Sequence, residues 1–348
     1  MIEKLVRENI KKLEPYTSAR DQYLEGILLD ANENSLGTTA EEFESLGLNR
    51  YPDPHQNDLK KAVGNYFSIP GENLFFGVGS DEIIDLLIRV FCEPGKDRVM
   101  ILDPTYGMYK VACDINNVDT ISVNLNAQFQ IDFDEVKKYY NSRVKVIFLC
   151  SPNNPTGNVI NKEDILKLCS EFKSVIIIDE AYVDFAQDNS LIYDVKNFSN
   201  LIVMRTFSKA WGLAGVRLGF CVANPEVINY LFKIKTPYNV NTLTRYAVLK
   251  SLGNYHKKDE FVNRLKTERE RVINELHKIK GIEKIFHSDA NYILFRCPDA
   301  KQVQKKLAEQ GIIIRDRSSY KMLENCLRLS IGTENENNKF LEAIKKLL

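Results

Sequence analysis

Six strand-like runs punctuate the first two-thirds of the chain: NLFFGV, RVMIL, VDTISVNL, VKVIFLC, SVIIID and NLIVMRT. Several are apolar without interruption. A strand with one wet face alternates apolar and polar residues, so an uninterrupted apolar strand must be buried on both faces. Helical patterns such as DEIIDLLIRVF and KEDILKLCSEF lie between them, with apolar residues three and four apart. This alternation predicts an α/β fold: a large domain whose mainly parallel sheet is flanked by helices. Open sheets of this kind place ligands beyond the carboxyl ends of their strands, and polar residues cluster there.

The texture changes near residue 240. A long charged helical stretch, KKDEFVNRLKTERERVINELHKIK, is followed by the strand NYILFRC, a helix KQVQKKLAEQG, the strands IIIRDR and CLRLSI, and a last helix NKFLEAIKKLL. We read residues 1–30 as an N-terminal arm, 31–240 as the large domain and 241–348 as a smaller C-terminal α/β domain. In the arm, Ile2, Leu5, Val6, Ile10 and Leu13 predict one amphipathic helix that Pro15 ends. Its apolar stripe needs a partner, either the body of the protein or another subunit.

The 348 residues suffice for two domains. Acidic and basic residues number 47 each, so there is no electrostatic footprint for nucleic acid. The opening MIEKLVRENIKKLEPY carries acidic residues and lacks the continuous apolar core of a signal peptide. No segment approaches a membrane-spanning length. The seven Cys are scattered and form no CxxC pair. They read as buried, reduced thiols of a cytoplasmic protein. The four His show no metal-ligand spacing.

Four segments carry chemistry. NLIVMRT leads into TFSKAWGLAGVRLGF, where Lys209 follows a buried strand among Gly212, Gly215 and Gly219, with Arg217 eight residues on. Thr206, Ser208, Arg217 and close-approaching backbone can hold a phosphate while Lys209 presents an amine. A Lys with its ordinary pKa of about 10.4 is almost wholly protonated at neutral pH. A nucleophilic Lys needs burial or a cationic neighbour. The plain alternative is a solvated surface Lys. In SVIIIDEAYVDF, Asp179 ends an apolar strand and Tyr182 follows three residues later. Asp179 either caps a turn or keeps a pyridinium nitrogen protonated, with Tyr182 on the same ring's phenolic oxygen.

VKVIFLCSPNNPTG presents Asn153 and Asn154 on a tight turn after a buried strand, which is also what any Asn/Pro-rich turn does. LFFGVGSDEIIDLL runs through Gly77 and Gly79 into Ser80 and Asp81 at a helix start. This is an anion site, or simple capping, or both. A dinucleotide fingerprint fails there because Glu82 stands at its third glycine. Tyr106, in LDPTYGMYK, either stacks on a flat ligand or belongs to the core. Tyr51, in RYPDP, sits in a rigid turn and suggests a contact. In CLRLSI, Cys326, Arg328 and Ser330 share one face of a strand. Arg328 is thus available to a carboxylate or phosphate, or to a surface ion pair.

Together, the glycine-rich turn, NNPTG, IIIDEAY and TFSKAWGLAGVRLGF resemble the fold-type I pyridoxal-phosphate-dependent aminotransferases along nearly the whole chain. LEPY, LDANEN, RYPDP, GVGSDE, DPTYGMY, GIIIRDR and CLRLSIGT make it most similar to the histidinol-phosphate aminotransferase family. That resemblance implies pyridoxal 5'-phosphate held by Lys209, with Asp179 at the pyridine nitrogen and Tyr182 and Asn154 at the phenolic oxygen. It implies Gly79, Ser80, Asp81, Thr206, Ser208 and Arg217 around the cofactor phosphate, and Tyr106 stacked on the ring. It further implies a homodimer in which Tyr51 reaches the neighbouring subunit's site. Tyr16, Asn32, Tyr51, Asn154, Arg315 and Arg328 would line the substrate side. Two departures stand out: Ser35-Leu36-Gly37 where the family often has a Pro, and Trp211 where it more often has Phe.

The implied reaction moves an amino group from histidinol phosphate to 2-oxoglutarate, giving imidazole acetol phosphate and glutamate. Alternatives within the same fold are an aromatic amino-acid aminotransferase and a threonine-phosphate decarboxylase. From another class, a cofactor-binding regulatory domain is the rival, though no DNA-binding segment is visible.

Overall fold

The apolar runs become the strands of a seven-stranded sheet: β1 (Leu74–Val78), β2 (Arg98–Asp103), β3 (Asp119–Asn124), β4 (Val144–Cys150), β5 (Val175–Asp179), β6 (Leu201–Thr206) and β7 (Leu218–Val222). They lie in the order β1-β7-β6-β5-β4-β2-β3 in this computed structural model, which describes residues 1–15, 21, 31 and 39–348. Tyr16, Asn32 and Ser35-Leu36-Gly37 fall outside the described residues. Every residue of β5, β6 and β7 is buried, as two-sided coverage by helices demands.

Only β7 runs against the rest, antiparallel to both β6 and β1. Its LGFCV sequence is apolar enough to signal a strand. It closes the glycine-rich Lys209 segment and is not among the six runs that the sequence pattern singles out. Gly219 of β7 pairs with Gly77 of β1. A Cβ on Gly219 would stand 2.6 Å from the Ser80 amide nitrogen. The two glycines thus let the chain pass from β1 into the helix Gly79–Phe91 directly against β7.

A second, antiparallel sheet has the order β10-β11-β9-β8, from β8 (Lys284–Ile285), β9 (Tyr292–Arg296), β10 (Arg315–Asp316) and β11 (Cys326–Ser330). Of the expected IIIRDR strand, only Arg315 and Asp316 form β10. The faces of CLRLSI divide as anticipated. Leu327 and Leu329 enter a core with Val272, Phe295 and Phe340, while Cys326 packs into the larger core beneath the first sheet. The acidic ENENN run opens the last helix, Glu334–Leu347, where Thr333 and Glu336 form a reciprocal cap.

The N-terminal helix is broken. Ile2–Lys4 and Glu8–Lys12 form separate short turns. The Arg7 amide at the break bonds to the Val90 carbonyl at 3.0 Å instead of continuing a helix. Ile2, Val6 and Ile10 are buried in the large core, so the body of the same chain covers this stripe, and Leu13 is exposed. All seven cysteines are free and buried. Among the described residues no helix is long and apolar enough to cross a membrane.

Candidate active site

The carboxyl ends of β4, β5 and β6 open into one pocket lined by Ser80, Asp81, Tyr106, Cys150, Asn154, Asp179, Ala181, Tyr182, Thr206, Ser208, Lys209, Ala214 and Arg217. Residues from five separate segments of the sequence meet there.

Asp179, the last residue of β5, forms the floor. Its Oδ2 accepts the Tyr109 hydroxyl at 2.9 Å, and its Oδ1 accepts the Ala181 amide at 3.0 Å. Burial raises its pKa to about 6, even though both hydrogen bonds favour the charged form. Tyr109 is fully buried, stacked at 4.7 Å on Phe148. Sequence reading passed over it. Its ring meets that of Tyr106 edge to face at 5.5 Å.

Lys209 stands three residues past β6, its amine 5.5 Å from the centre of the Tyr182 ring. Lys209 as a whole residue is exposed. The amine is still enclosed enough for burial to lower its pKa, opposed by Asp179 and reinforced by Arg328 and Arg217. The activation expected of a nucleophilic Lys is therefore supplied chiefly by desolvation, with the cations second.

An anion corner lies beside it. Gly79 has φ +72, and a Cβ there would stand 2.6 Å from Arg217 Nη2. Gly79 also donates its amide to the Arg217 carbonyl at 3.0 Å. Arg217 itself adopts φ +57, turning its side chain across the start of the helix Gly79–Phe91. Its Nη2 meets Asp81 Oδ2 at 3.3 Å, and Tyr106 donates to Asp81 Oδ1 at 3.3 Å. Asp81 therefore anchors Arg217 and Tyr106. Thr206 donates to the Leu218 carbonyl at 3.3 Å and accepts the Ser208 amide at 3.1 Å. Its single donor is engaged, so Thr206 shapes the turn that presents Ser208 and Lys209.

The two neighbouring asparagines have different tasks. Asn153 is buried and accepts Thr105 Oγ1 at 2.9 Å, while it donates to the Pro104 carbonyl at 2.8 Å. Tyr292 of β9 donates to the Asn153 carbonyl at 2.6 Å, tying the second sheet to this turn. Asn154 faces the pocket, its Nδ2 directed at the Tyr182 hydroxyl at 3.3 Å and its Oδ1 accepting Arg328 Nη1. Arg328 is thereby tied to the pocket through Asn154 and lies 5.2 Å from the centre of the Tyr292 ring.

Arg315 is exposed and pairs in register with Arg328. Arg317, which sequence reading left aside, is better enclosed. Tyr51 is half exposed, stacked at 4.5 Å on Tyr238. It does not line its own chain's pocket.

These residues fit pyridoxal 5'-phosphate. An enclosed amine, a buried carboxylate, and a phenol–amide pair surround one space. The cradle that a Cβ on Gly79 would fill lies beside Arg217, at a helix N-terminus suited to a phosphate.

Comparison with known proteins gives a consistent picture. The aminotransferase class I and II family model matches residues 25–344. The chain is 44% identical to the histidinol-phosphate aminotransferase of Cytophaga hutchinsonii, over 99% of this chain and 98% of that one. It is 45% identical to the same-named protein of Christiangramia forsetii, again over 99% and 98%. Among solved structures it resembles the histidinol-phosphate aminotransferase from Clostridium acetobutylicum. That match has a TM-score of 0.79 and 30% identity, over 86% of this chain and 91% of that one.

Proposed function

We propose that this chain, which belongs to the class I and II aminotransferases and within them to the histidinol-phosphate aminotransferase family, transfers the amino group of histidinol phosphate to 2-oxoglutarate, with pyridoxal 5'-phosphate as cofactor. The products are imidazole acetol phosphate and glutamate, a step of histidine biosynthesis. The observation that carries this reading is the meeting of the Lys209 amine and the Asp179 carboxylate in one pocket, with the Arg328 guanidinium bonded to Asn154 of its lining.

Bound cofactor supplies an electron sink for the amine-bearing carbon of the substrate. The protein does the rest. Lys209 would hold the cofactor until the substrate amine takes its place, and its freed amine, weakened as a base by burial, would then take the proton from that carbon at Nζ. Asp179 would keep the cofactor's ring nitrogen protonated. Asn154 and Tyr182 orient the phenolic oxygen. Gly79, Ser80, Asp81, Ser208 and Arg217 form the phosphate corner, shaped by Thr206. Tyr106 would stack on the ring. Arg328 and Arg315 would take the substrate phosphate, then a carboxylate of 2-oxoglutarate.

The proposed assembly is a homodimer, with Tyr51 reaching the neighbouring site. In support, Val78 and Leu243 are exposed apolar residues lining a hollow that also includes Arg217. The seven free, buried thiols support a reducing compartment, the cytoplasm.

The test is product analysis with purified, cofactor-loaded protein. Glutamate formed from histidinol phosphate and 2-oxoglutarate supports the assignment. CO₂ from threonine phosphate, or turnover of phenylalanine or tyrosine in preference to histidinol phosphate, would replace it with the corresponding rival.

A further inference from the structure

The second sheet carries a third arginine on the face of the expected pair, Arg315 and Arg328. Arg315 and Arg317 are two apart on an extended segment, so they share a face. Arg315 lies directly opposite Arg328, and directly opposed residues of antiparallel strands also share a face. The Arg317 amide bonds to the Cys326 carbonyl at 2.8 Å, which carries the ladder one step past β10. Three guanidinium groups therefore crowd one edge of this sheet.

Nothing within the described residues neutralises them. None of the three forms an ion pair with a carboxylate there. The nearest acid in sequence, Asp316, is occupied by its own turn, accepting the Ser318 amide at 2.8 Å and the Ser318 hydroxyl at 2.6 Å. The Nε of Arg317 and the Nε of Arg328 are both buried without an acceptor. Arg98 and Arg296 leave the same atom open, but Arg317 and Arg328 do so on one strand face, where a single anion could accept from both. Like charges placed across strands also destabilise a sheet, unless an anion joins them.

Arg317 is also held in place. Its guanidinium carbon lies 5.7 Å from the centre of the Tyr320 ring. The Tyr320 hydroxyl sits 3.4 Å from where a side chain on Gly107 would begin, next to Tyr106 of the pocket. Arg296 pins the following turn through the Met322 carbonyl at 3.1 Å.

We propose that Arg317 is a third guanidinium of the substrate's anion site and favours a phosphate monoester dianion over a carboxylate. The inference rests on the reading of this pocket as one for a phosphate-bearing amine. Coulombic attraction scales with ligand charge, so losing one of three cations costs a dianion more than a monoanion.

The experiment compares Arg317→Gln and Arg317→Lys with the unaltered holoenzyme. Two donors are used, histidinol phosphate and histidinol, the same amine without the phosphate. The quantity read is the ratio of their kcat/KM values, which cancels any general loss from misfolding. Loss of a charge-assisted hydrogen bond corresponds to roughly ten- to a hundredfold. Arg317→Gln should lower the ratio by at least about tenfold, and Arg317→Lys by less, because it keeps the charge and loses the fork. Inorganic phosphate, titrated calorimetrically into the same holoenzymes, should bind Arg317→Gln more weakly by a similar factor. A ratio and a phosphate affinity both within about twofold of the unaltered protein would overturn the proposal. If the unaltered enzyme ignored histidinol phosphate while phosphate affinity still fell in Arg317→Gln, the donor assignment would fail and Arg317 would stand as an anion ligand.

Discussion

The Tyr109 hydroxyl lies 2.9 Å from Asp179 Oδ2, and both side chains are shut off from water. This bond partly offsets the burial that pushes the carboxyl up to about 6. Without it Asp179 would ionise later still. Tyr109→Phe is expected to lower kcat about tenfold near pH 7, the worth of one hydrogen bond to a charged group. The acid limb of the kcat profile should move to higher pH. A profile that falls uniformly, with its limb unmoved, would separate Tyr109 from the ionisation of Asp179.

Asp179 also has a cost in the cofactor-free protein. Its carboxyl rises from 3.8 to about 6 on folding. The folded state therefore binds more protons than the unfolded state across that interval. The stabilising contribution is present below pH 3.8 and is lost as pH rises through about 6. Asp179→Asn should stabilise the cofactor-free protein by up to about 3 kcal/mol at pH 8. The gap should shrink as pH falls towards 4. Denaturant unfolding at several pH values checks this. The same substitution should remove most of the activity of the loaded enzyme, as expected where a functional group is held against its own stability.

Gly79→Ala attacks the phosphate corner through the backbone. The position needs φ +72, and the added methyl would collide with Arg217 Nη2. The conformational strain alone costs roughly 1–2 kcal/mol. Cofactor affinity, followed by absorbance titration, is expected to fall more than tenfold as Arg217 is displaced. Unchanged affinity would show that Arg217 does not hold the phosphate.

Arg328→Ala removes the guanidinium that Asn154 accepts. Both half-reactions should weaken, by about a hundredfold in kcat/KM if a bond to a charged group is lost in each. A variant that spared both would contradict the assignment of Arg328.

The homodimer can be tested by complementation. Lys209→Ala and Tyr51→Ala should each be nearly inactive. In a mixed dimer one site carries both defects and the other is intact. Re-equilibrated mixtures should regain about a quarter of full activity, because half the dimers are mixed. No regain would place Tyr51 outside the neighbouring site.

Much of this was legible in the sequence, because buried strands announce themselves by unbroken apolar runs and the pocket's side chains follow directly after them. Asp179 and Lys209 were found in that way. β7 was missed because its LGFCV closes a glycine-rich segment, where loop signals dominate local pattern. The N-terminal stripe was recognised, but the break at Arg7 was not, since it depends on a tertiary bond to Val90. Tyr109 and Tyr292 act through partners 70 and 139 residues away, a pairing that no local spacing encodes. Arg317 did have a signal. Its two-residue offset from Arg315 fixes a shared face, and only the register with Arg328 gave that face a meaning.

The most direct measurement mixes the purified, cofactor-loaded protein with histidinol phosphate and follows the cofactor's visible absorbance band. The account requires the band to disappear on mixing and to return when 2-oxoglutarate is added. A band unmoved by histidinol phosphate would contradict it.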